Sequence, residues 1–139
     1  MRSATKPSVV VVDSDPINCR LMREICLVAG WEPAGCAGNM EEGLALVAGA
    51  RPECLITDYD FGNGGSCEGT GLDLIEKAKL NLPHLFTILA TGWDINELAV
   101  RMQTQQPDRI LRKPVPPHQL MKLLENVHGQ VEVVRIRAV

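Results

Sequence analysis

Residues 9–16, Val-Val-Val-Val-Asp-Ser-Asp-Pro, decide the fold class of this 139-residue chain. Four consecutive β-branched residues predict a strand that is buried on both faces, as strands of parallel sheets are. The residues that follow are typical of a helix start, with Asp15 as the N-cap and Pro16 at the first helical position. The segment therefore predicts a buried strand that leads directly into a helix.

The rest of the chain repeats this alternation of short apolar runs and helical patterns. Further strands are predicted over residues 32–38, 54–57, 85–90 and 109–112. Apolar residues at helical spacing lie between them and after the last one, for example Ile95, Leu98 and Met102. Strands separated by helical patterns of about 10–15 residues imply βαβ units. The predicted fold class is therefore α/β, a doubly wound sheet of five parallel strands with helices on both faces.

The length of 139 residues fits one domain, and no repeat or internal linker divides the chain. We assign residues 1–7 to an N-terminal tail, 8–129 to the domain and 130–139 to a C-terminal extension. Residues 131–137 alternate roughly between apolar and charged side chains. They are compatible with an added edge strand, an interface arm or the start of a connection, and the sequence does not choose among these.

Composition and charge exclude several classes of protein. The net charge of −3 argues against binding to nucleic acid. No apolar stretch reaches the roughly 18 residues of a membrane helix, and the start is too short for a signal peptide, so a cytoplasmic location is the default expectation. The five cysteines include no C-x-x-C pair, which favours reduced thiols that fill apolar space. Only Cys67, in a Gly-rich segment, is expected to be exposed.

Three of the predicted strands end in side chains that suit phosphoryl chemistry. The first leads into Asp13-Ser14-Asp15, the third into Asp58-Tyr59-Asp60 and the fifth into Lys113-Pro114. The carboxyl ends of parallel strands share one sheet edge, which is where open α/β sheets bind ligands. Two carboxylates about 4 Å apart repel by roughly 4 kcal/mol at an effective dielectric constant near 20. The grouping therefore indicates a site for a metal ion and a phosphate.

These residues belong to stretches that agree in order and separation with a known family. The matching stretches are residues 9–18, 55–60, 71–75, 88–92 and 113–114. Over about residues 8 to 128 the chain resembles the receiver domain of bacterial two-component response regulators. The resemblance implies a flavodoxin-like strand order 2-1-3-4-5. It also implies a phosphoacceptor in a phosphorelay, acted on by a sensor histidine kinase or a histidine phosphotransfer protein.

The resemblance assigns a metal and acceptor role to the acidic residues. Asp58 would be the phosphoacceptor, whose carboxylate forms an acyl phosphate. Asp13, Asp58 and the backbone carbonyl of Asp60 would hold Mg²⁺, which suits a few oxygen ligands together with waters and a phosphate. Asp15 is a further candidate ligand through a water molecule, although the family has a non-ligand acid at this position.

The same resemblance assigns phosphoryl binding to two other residues. Lys113 would pair with the phosphoryl oxygens as a point charge, and Pro114 corresponds to the family's cis-bonded proline. Thr91 would donate its hydroxyl to the phosphoryl group and so report its presence.

Three features depart from the family pattern. Ser14 replaces the acid that usually binds the metal directly, which should weaken cation affinity about tenfold or more, or about 1.4 kcal/mol for each tenfold. Ile110 replaces the usual aromatic residue three positions before the lysine, so the family's threonine–aromatic switch is incomplete. The Gly-rich loop 61–71 is about five residues longer than usual. It either reshapes partner recognition or covers the acceptor, or is a tolerated surface insertion.

The expected mode of action is signalling by conformational change. We expect no enzymatic activity beyond weak hydrolysis of the chain's own aspartyl phosphate, and no output domain after the last helix. The chain would act as a stand-alone relay, or dock a protein target or a second copy through its last two helices and last strand.

Two alternatives stay open at the level of sequence. The first is a pseudo-receiver, an interaction module of the same fold that is never phosphorylated, which Ser14 and Ile110 favour. The second is a haloacid-dehalogenase-like phosphatase, with Asp13 as nucleophile, Asp15 as general acid/base and Thr91 and Lys113 as its next two motifs. That family needs a further pair of acids after the lysine. Here the acids that follow are Glu125 and Glu132, and neither lies at a strand end.

Overall fold

The protein is built on a parallel sheet of five strands, seen here in a computed structural model. The structure describes residues 6–61, 69–94, 96, 98, 99 and 107–137, without the side chains of 131–137. The strands are β1 (Ser8–Val12), β2 (Glu32–Ala37), β3 (Cys54–Asp58), β4 (Phe86–Thr91) and β5 (Arg109–Arg112). Their order is β2-β1-β3-β4-β5 and every neighbouring pair is parallel. The predicted fold class and strand order are confirmed.

Four helices are bounded within the described residues. They are α1 (Pro16–Val28), α2 (Met40–Ala50), α3 (Gly71–Asn81) and α4 (Pro117–Arg137). Between β4 and β5, Asn96, Leu98 and Ala99 are helical. The rest of the helix predicted there, including Ile95 and Met102, lies outside the described residues.

The helix starts follow from local chemistry. Asp15 caps α1 through its side chain, which accepts a hydrogen bond from the Ile17 N–H at 3.0 Å, and Pro16 occupies the first turn. Asn39 caps α2 by accepting from the Glu42 N–H at 2.9 Å. These side chains bind N–H groups that have no partner within the helix.

The core forms a layer on each face of the sheet. Val9 and Val11 of β1 face one layer, in which α1 and α4 pack, whereas Val10 and Val12 face the other, in which α2 and α3 pack. All four valines are fully buried. The continuous apolar run therefore reflects burial on both faces of a central strand.

The face of α1 that packs against the sheet is not the face on which its apolar residues are most regularly spaced. Its buried residues are Cys19, Met22, Ile25 and Cys26. Ile17 and Val28, which share that spacing with Ile25, are exposed. The two thiols and a thioether thus occupy the face toward the sheet, as soft apolar side chains do in cores.

One alternative that the sequence left open is excluded, and one expectation was wrong. Residues 131–137 are not an added edge strand, because α4 continues through the predicted boundary at residue 129 to Arg137. The sequence extends the spacing of Leu124 and Val127 to Val131 and Val134, which a helix accommodates. Cys36 is exposed because β2 is an edge strand, while Cys67 lies outside the described residues.

No helix in the described part of the chain has the length and apolar character to span a membrane.

Candidate functional site

The strand register places the candidate acidic residues side by side at the carboxyl edge of the sheet. Val12 of β1 pairs with Thr57 of β3, so Asp13 and Asp58 directly follow neighbouring positions. Asp58 also pairs with Ala90 of β4, which puts Thr91 one residue beyond. Thr91 in turn pairs with Arg112 of β5, immediately before Lys113. Four candidate residues therefore come from the ends of four adjacent strands.

Lys113 bridges the two carboxylates. Its Nζ lies 3.0 Å from Oδ2 of Asp13 and 3.1 Å from Oδ1 of Asp58. The side chains of Asp13, Asp58 and Lys113 are 2%, 10% and 21% exposed. A single ammonium thus neutralises one of two nearly buried negative charges, and the cluster keeps an excess charge of about −1.

Asp13 is held firmly by its neighbours. Its Oδ1 accepts from the Asp15 N–H at 2.8 Å, and its Oδ2 accepts from the Asn18 amide at 3.2 Å. Its own N–H donates to the carbonyl of Ala37 at 2.9 Å. Sequence reasoning missed the role of Asn18, although Pro16 at a helix start places Asn18 in the first turn, directly beside the end of β1.

Burial and excess charge shift the protonation of the cluster. Burial raises the pKa of Asp58, an effect that the charge of Asp13 reinforces and the attraction of Lys113 only partly offsets. Burial alone would lower the pKa of Lys113, but its hydrogen bond to Asp13 and the two carboxylate charges raise it. An acid and a base that both hold their protons more tightly than usual mark a site that favours positive charge.

Thr91 lies at the end of β4 and is fully buried. Its Oγ1 accepts from the N–H of Trp93 at 3.0 Å, and its carbonyl accepts from the N–H of Lys113 at 2.8 Å. The Trp93 ring packs against Tyr59, with ring centroids 5.4 Å apart and planes at 66°. The Thr91 hydroxyl is therefore hydrogen-bonded to a tryptophan whose ring packs against the residue that follows Asp58.

Gly71 lets α3 begin against the backbone of Asp58. Its N–H donates to the Tyr59 carbonyl at 2.8 Å, and a Cβ at this position would overlap the carbonyl oxygen of Asp58. The sequence motif includes Gly71, but the close approach that requires it depends on tertiary packing. Residues 62–68 of the Gly-rich loop lie outside the described residues.

Two of the three departures from the family pattern, Ser14 and Ile110, lie within the described residues. Ser14 is exposed and offers a hydroxyl where a carboxylate would add a negative charge. Asp15 is also exposed and uses its carboxylate to cap α1. Ile110 is half-buried and packs against the core layer of α2 and α3. The Lys113–Pro114 peptide bond is cis, as the resemblance implies.

The donor set is compatible with a magnesium ion. Among the described residues, no three acidic, histidine or cysteine side chains gather as a metal cluster. Asp13 and Asp58 nevertheless supply two carboxylates, with the carbonyl of Asp60 following in the same loop. Magnesium in phosphate-handling sites commonly uses one or two carboxylates and takes its other ligands from phosphate and water.

Solved structures of other proteins share this fold. The receiver domain of the response regulator AraT from Geobacillus stearothermophilus superposes with a TM-score of 0.80 at 26% identity, covering 94% of this chain and 99% of that one. A CheY-like receiver domain from Methanospirillum hungatei gives 0.79 at 23% identity, covering 92% and 98%. PhyR from Brucella abortus gives 0.78 at 17% identity, and this chain covers 52% of it.

No curated protein sequence matches the chain. The family described as response regulator receiver domain matches residues 9–125. That match spans β1 to α4 and includes the three bridged side chains. The chain belongs to the response regulator receiver domain family.

Proposed function

We propose that the chain is a phosphoacceptor receiver that is phosphorylated on Asp58 by a sensor histidine kinase or a histidine phosphotransfer protein. The observation that carries the proposal is the bridge from Lys113 to Asp13 at 3.0 Å and to Asp58 at 3.1 Å. In this bridge the ammonium of Lys113 contacts the Asp58 carboxylate, which is the proposed nucleophile at the end of β3. The ammonium can exchange that contact for one with an incoming phosphoryl oxygen.

In the proposed reaction a carboxylate oxygen of Asp58 attacks phosphorus of a phosphohistidine. The new O–P bond forms as the P–N bond breaks, and the imidazole leaves with its electron pair. Lys113 then binds a phosphoryl oxygen and Thr91 donates its hydroxyl to another. Asp13, Asp58 and the Asp60 carbonyl are the residues that would hold magnesium, which would neutralise phosphoryl charge.

Asp58 is a better nucleophile candidate than Asp13. Both oxygens of Asp13 accept hydrogen bonds and one also contacts Lys113, whereas Asp58 is the more exposed of the two carboxylates. These contacts suit Asp13 to positioning a cation rather than to attack. They argue against a phosphatase that uses Asp13, as does membership of the receiver family.

The partners and setting follow the family. Receiver domains are generally signalling modules without enzymatic activity, and they interact with histidine kinases or phosphotransfer proteins and with downstream targets. We propose the same for this chain, in the cytoplasm, with no activity beyond weak loss of its own phosphoryl group. The target or a second copy would dock at the last two helices and β5.

The test is intact mass after incubation with magnesium and acetyl phosphate. We expect a single phosphoryl adduct on the wild-type chain and none on Asp58→Asn. Asp60→Asn is the matched control, because the proposal uses only its backbone carbonyl, and it should form the adduct. An adduct that survives in Asp58→Asn, or is absent from wild type at saturating magnesium and with a competent kinase, contradicts the proposal.

A second candidate function is the pseudo-receiver. Ser14, which removes a metal-binding carboxylate, and Ile110, which removes the aromatic partner of Thr91, favour it. Absence of any adduct with every phosphodonor, together with unchanged binding to a protein target in Asp58→Asn, is the result that this candidate requires.

A further inference from the structure

Two cysteines meet in a cleft beside the phosphoacceptor site. Cys19 lies in the second turn of α1, and Cys36 lies near the end of the edge strand β2. Both line a cleft of about 290 Å³ between these elements, together with Asp13 and Ser14. None of the roles proposed above uses either thiol.

The side chain of Cys36 lies against the backbone of Cys19. The Sγ of Cys36 lies 3.7 Å from the carbonyl oxygen of Cys19. Burial, followed by a hydrogen bond with the Cys36 thiol, raises the pKa of Cys19 to about 12. Cys36 of β2 pairs with Val11 of β1, so the two side chains lie on the same face of the sheet. Val11 and Cys19 belong to the same core layer, and Cys36 therefore faces the layer that contains Cys19.

The two thiols differ in access to solvent. Cys36 is exposed, whereas Cys19 is only 6% exposed and its Sγ contacts the carbonyls of Val11, Asp13 and Ala37 at 3.8–3.9 Å. An oxidant from solution therefore reaches Cys36 first. The buried Cys19 is positioned to react next, because it adjoins Cys36 without competing for the oxidant.

We propose that Cys19 and Cys36 are a redox modification site that forms a reversible intramolecular disulfide with hydrogen peroxide as the oxidant. The Cys36 thiolate attacks a peroxide oxygen, the O–O bond breaks, and the sulfenic acid of Cys36 and one water result once the leaving hydroxide takes up a proton. The sulfur of Cys19 then attacks the Cys36 sulfur and gives up its proton. The S–S bond forms, the S–O bond breaks and a second water leaves.

The crosslink joins two elements that both hold Asp13. β2 ends at Ala37, whose carbonyl accepts from the Asp13 N–H, and α1 carries Asn18, which binds the Asp13 carboxylate. Closing a loop between residues that are 17 apart in sequence restricts the unfolded chain. We expect the oxidised protein to melt roughly 6–12 °C above the reduced protein.

The experiment uses the full chain carrying Cys67→Ser, which removes the other cysteine expected to be exposed. The protein is treated with hydrogen peroxide, unfolded, labelled with N-ethylmaleimide and digested. We expect a Cys19–Cys36 crosslinked peptide, loss of two labelling sites, and full recovery of both with dithiothreitol. Peroxide-treated Cys36→Ser should keep all of its labelling sites and show no rise in melting temperature.

Cys26→Ala is the matched control, because Cys26 is a buried cysteine on the same helix. It should form the same crosslink as its parent. Three results would overturn the proposal: Cys36 accumulates as sulfinic acid, Cys36 forms a disulfide between two molecules, or Cys36 stays fully labelled after peroxide treatment. A crosslink that forms without the rise in melting temperature overturns the stabilising role.

Discussion

Lys113 is the only cation that the described structure places on both candidate carboxylates, so its removal tests the site directly. Lys113→Met keeps most of the length and apolar stem of the side chain but removes the ammonium. Asp13 and Asp58 would then face each other at 2% and 10% side-chain exposure without a cation between them. Breaking a fully buried pair is worth about 3–5 kcal/mol, and an exposed pair at most about 1 kcal/mol. Because Lys113 is 21% exposed, we expect a loss of about 2–4 kcal/mol, nearer the buried limit.

The assay is urea unfolding at pH 7 with a chelator present, so that no added metal replaces the lost charge. Lys79→Met is the matched control, since Lys79 pairs with Asp108 at 3.2 Å and the two side chains are 23% and 34% exposed. It should lose at most about 1 kcal/mol, because Asp108 keeps its hydrogen bonds to Thr87.

The double variant Lys113→Met/Asp58→Asn separates repulsion from lost packing. Removing one carboxylate should recover at least half of the stability that Lys113→Met loses, since a lone Asp13 keeps its bonds to Asn18 and to the Asp15 N–H. If Lys113→Met loses no more than Lys79→Met, or if the double variant recovers nothing, the bridge does not stabilise the site as described.

The remaining predictions concern charge, metal affinity and backbone packing. The folded-state pKa of Asp58 is raised above its unfolded value, so the contribution of this group to stability is present in acid and is lost as pH rises through the folded pKa. Asp58→Asn should therefore be more stable than wild type at pH 7 and should lose that advantage near pH 3. Thermal unfolding of both proteins at each pH measures this difference. Ser14→Asp should tighten magnesium binding about tenfold or more, measured by calorimetry, and equal affinities in the two proteins would contradict the assigned metal position. Gly71→Ala should lower the free energy of unfolding by at least about 2 kcal/mol, because the new Cβ would overlap the Asp58 carbonyl. Gly49→Ala, in open space on α2, is the control and should raise it by up to about 1 kcal/mol. Similar changes in both variants would refute the close approach of Gly71 to Asp58.

Local signals in the sequence account for most of the elements. The valine run predicts that β1 is buried, because a strand without alternating polar and apolar residues has no polar face to expose to solvent. Asp15 with Pro16, and Asn39 before α2, mark helix starts because capping depends only on neighbouring residues. The strand ends bring Asp13, Asp58 and Lys113 together because parallel strands share a carboxyl edge.

Features that depend on contacts between distant parts of the chain could not be predicted from local sequence signals. The buried face of α1 carries Cys19 and Met22, whereas the more apolar Ile17 is exposed. The exposure of Cys36 follows from the position of β2 at the sheet edge, which the resemblance implied through the strand order but which the local pattern of residues 32–38 does not reveal. The structure of the tail stayed open because alternation over seven residues also fits a helix when the preceding turns continue into it.

The central claim is that Asp58 itself carries the phosphoryl group, and chemical mapping tests it most directly. After incubation with magnesium and acetyl phosphate, borohydride converts an aspartyl phosphate into homoserine, which peptide sequencing by mass spectrometry locates. We predict homoserine at position 58, dependent on the phosphodonor and weakened in Lys113→Met. Homoserine at position 13, or at no position in a sample that carries the adduct, would contradict the account.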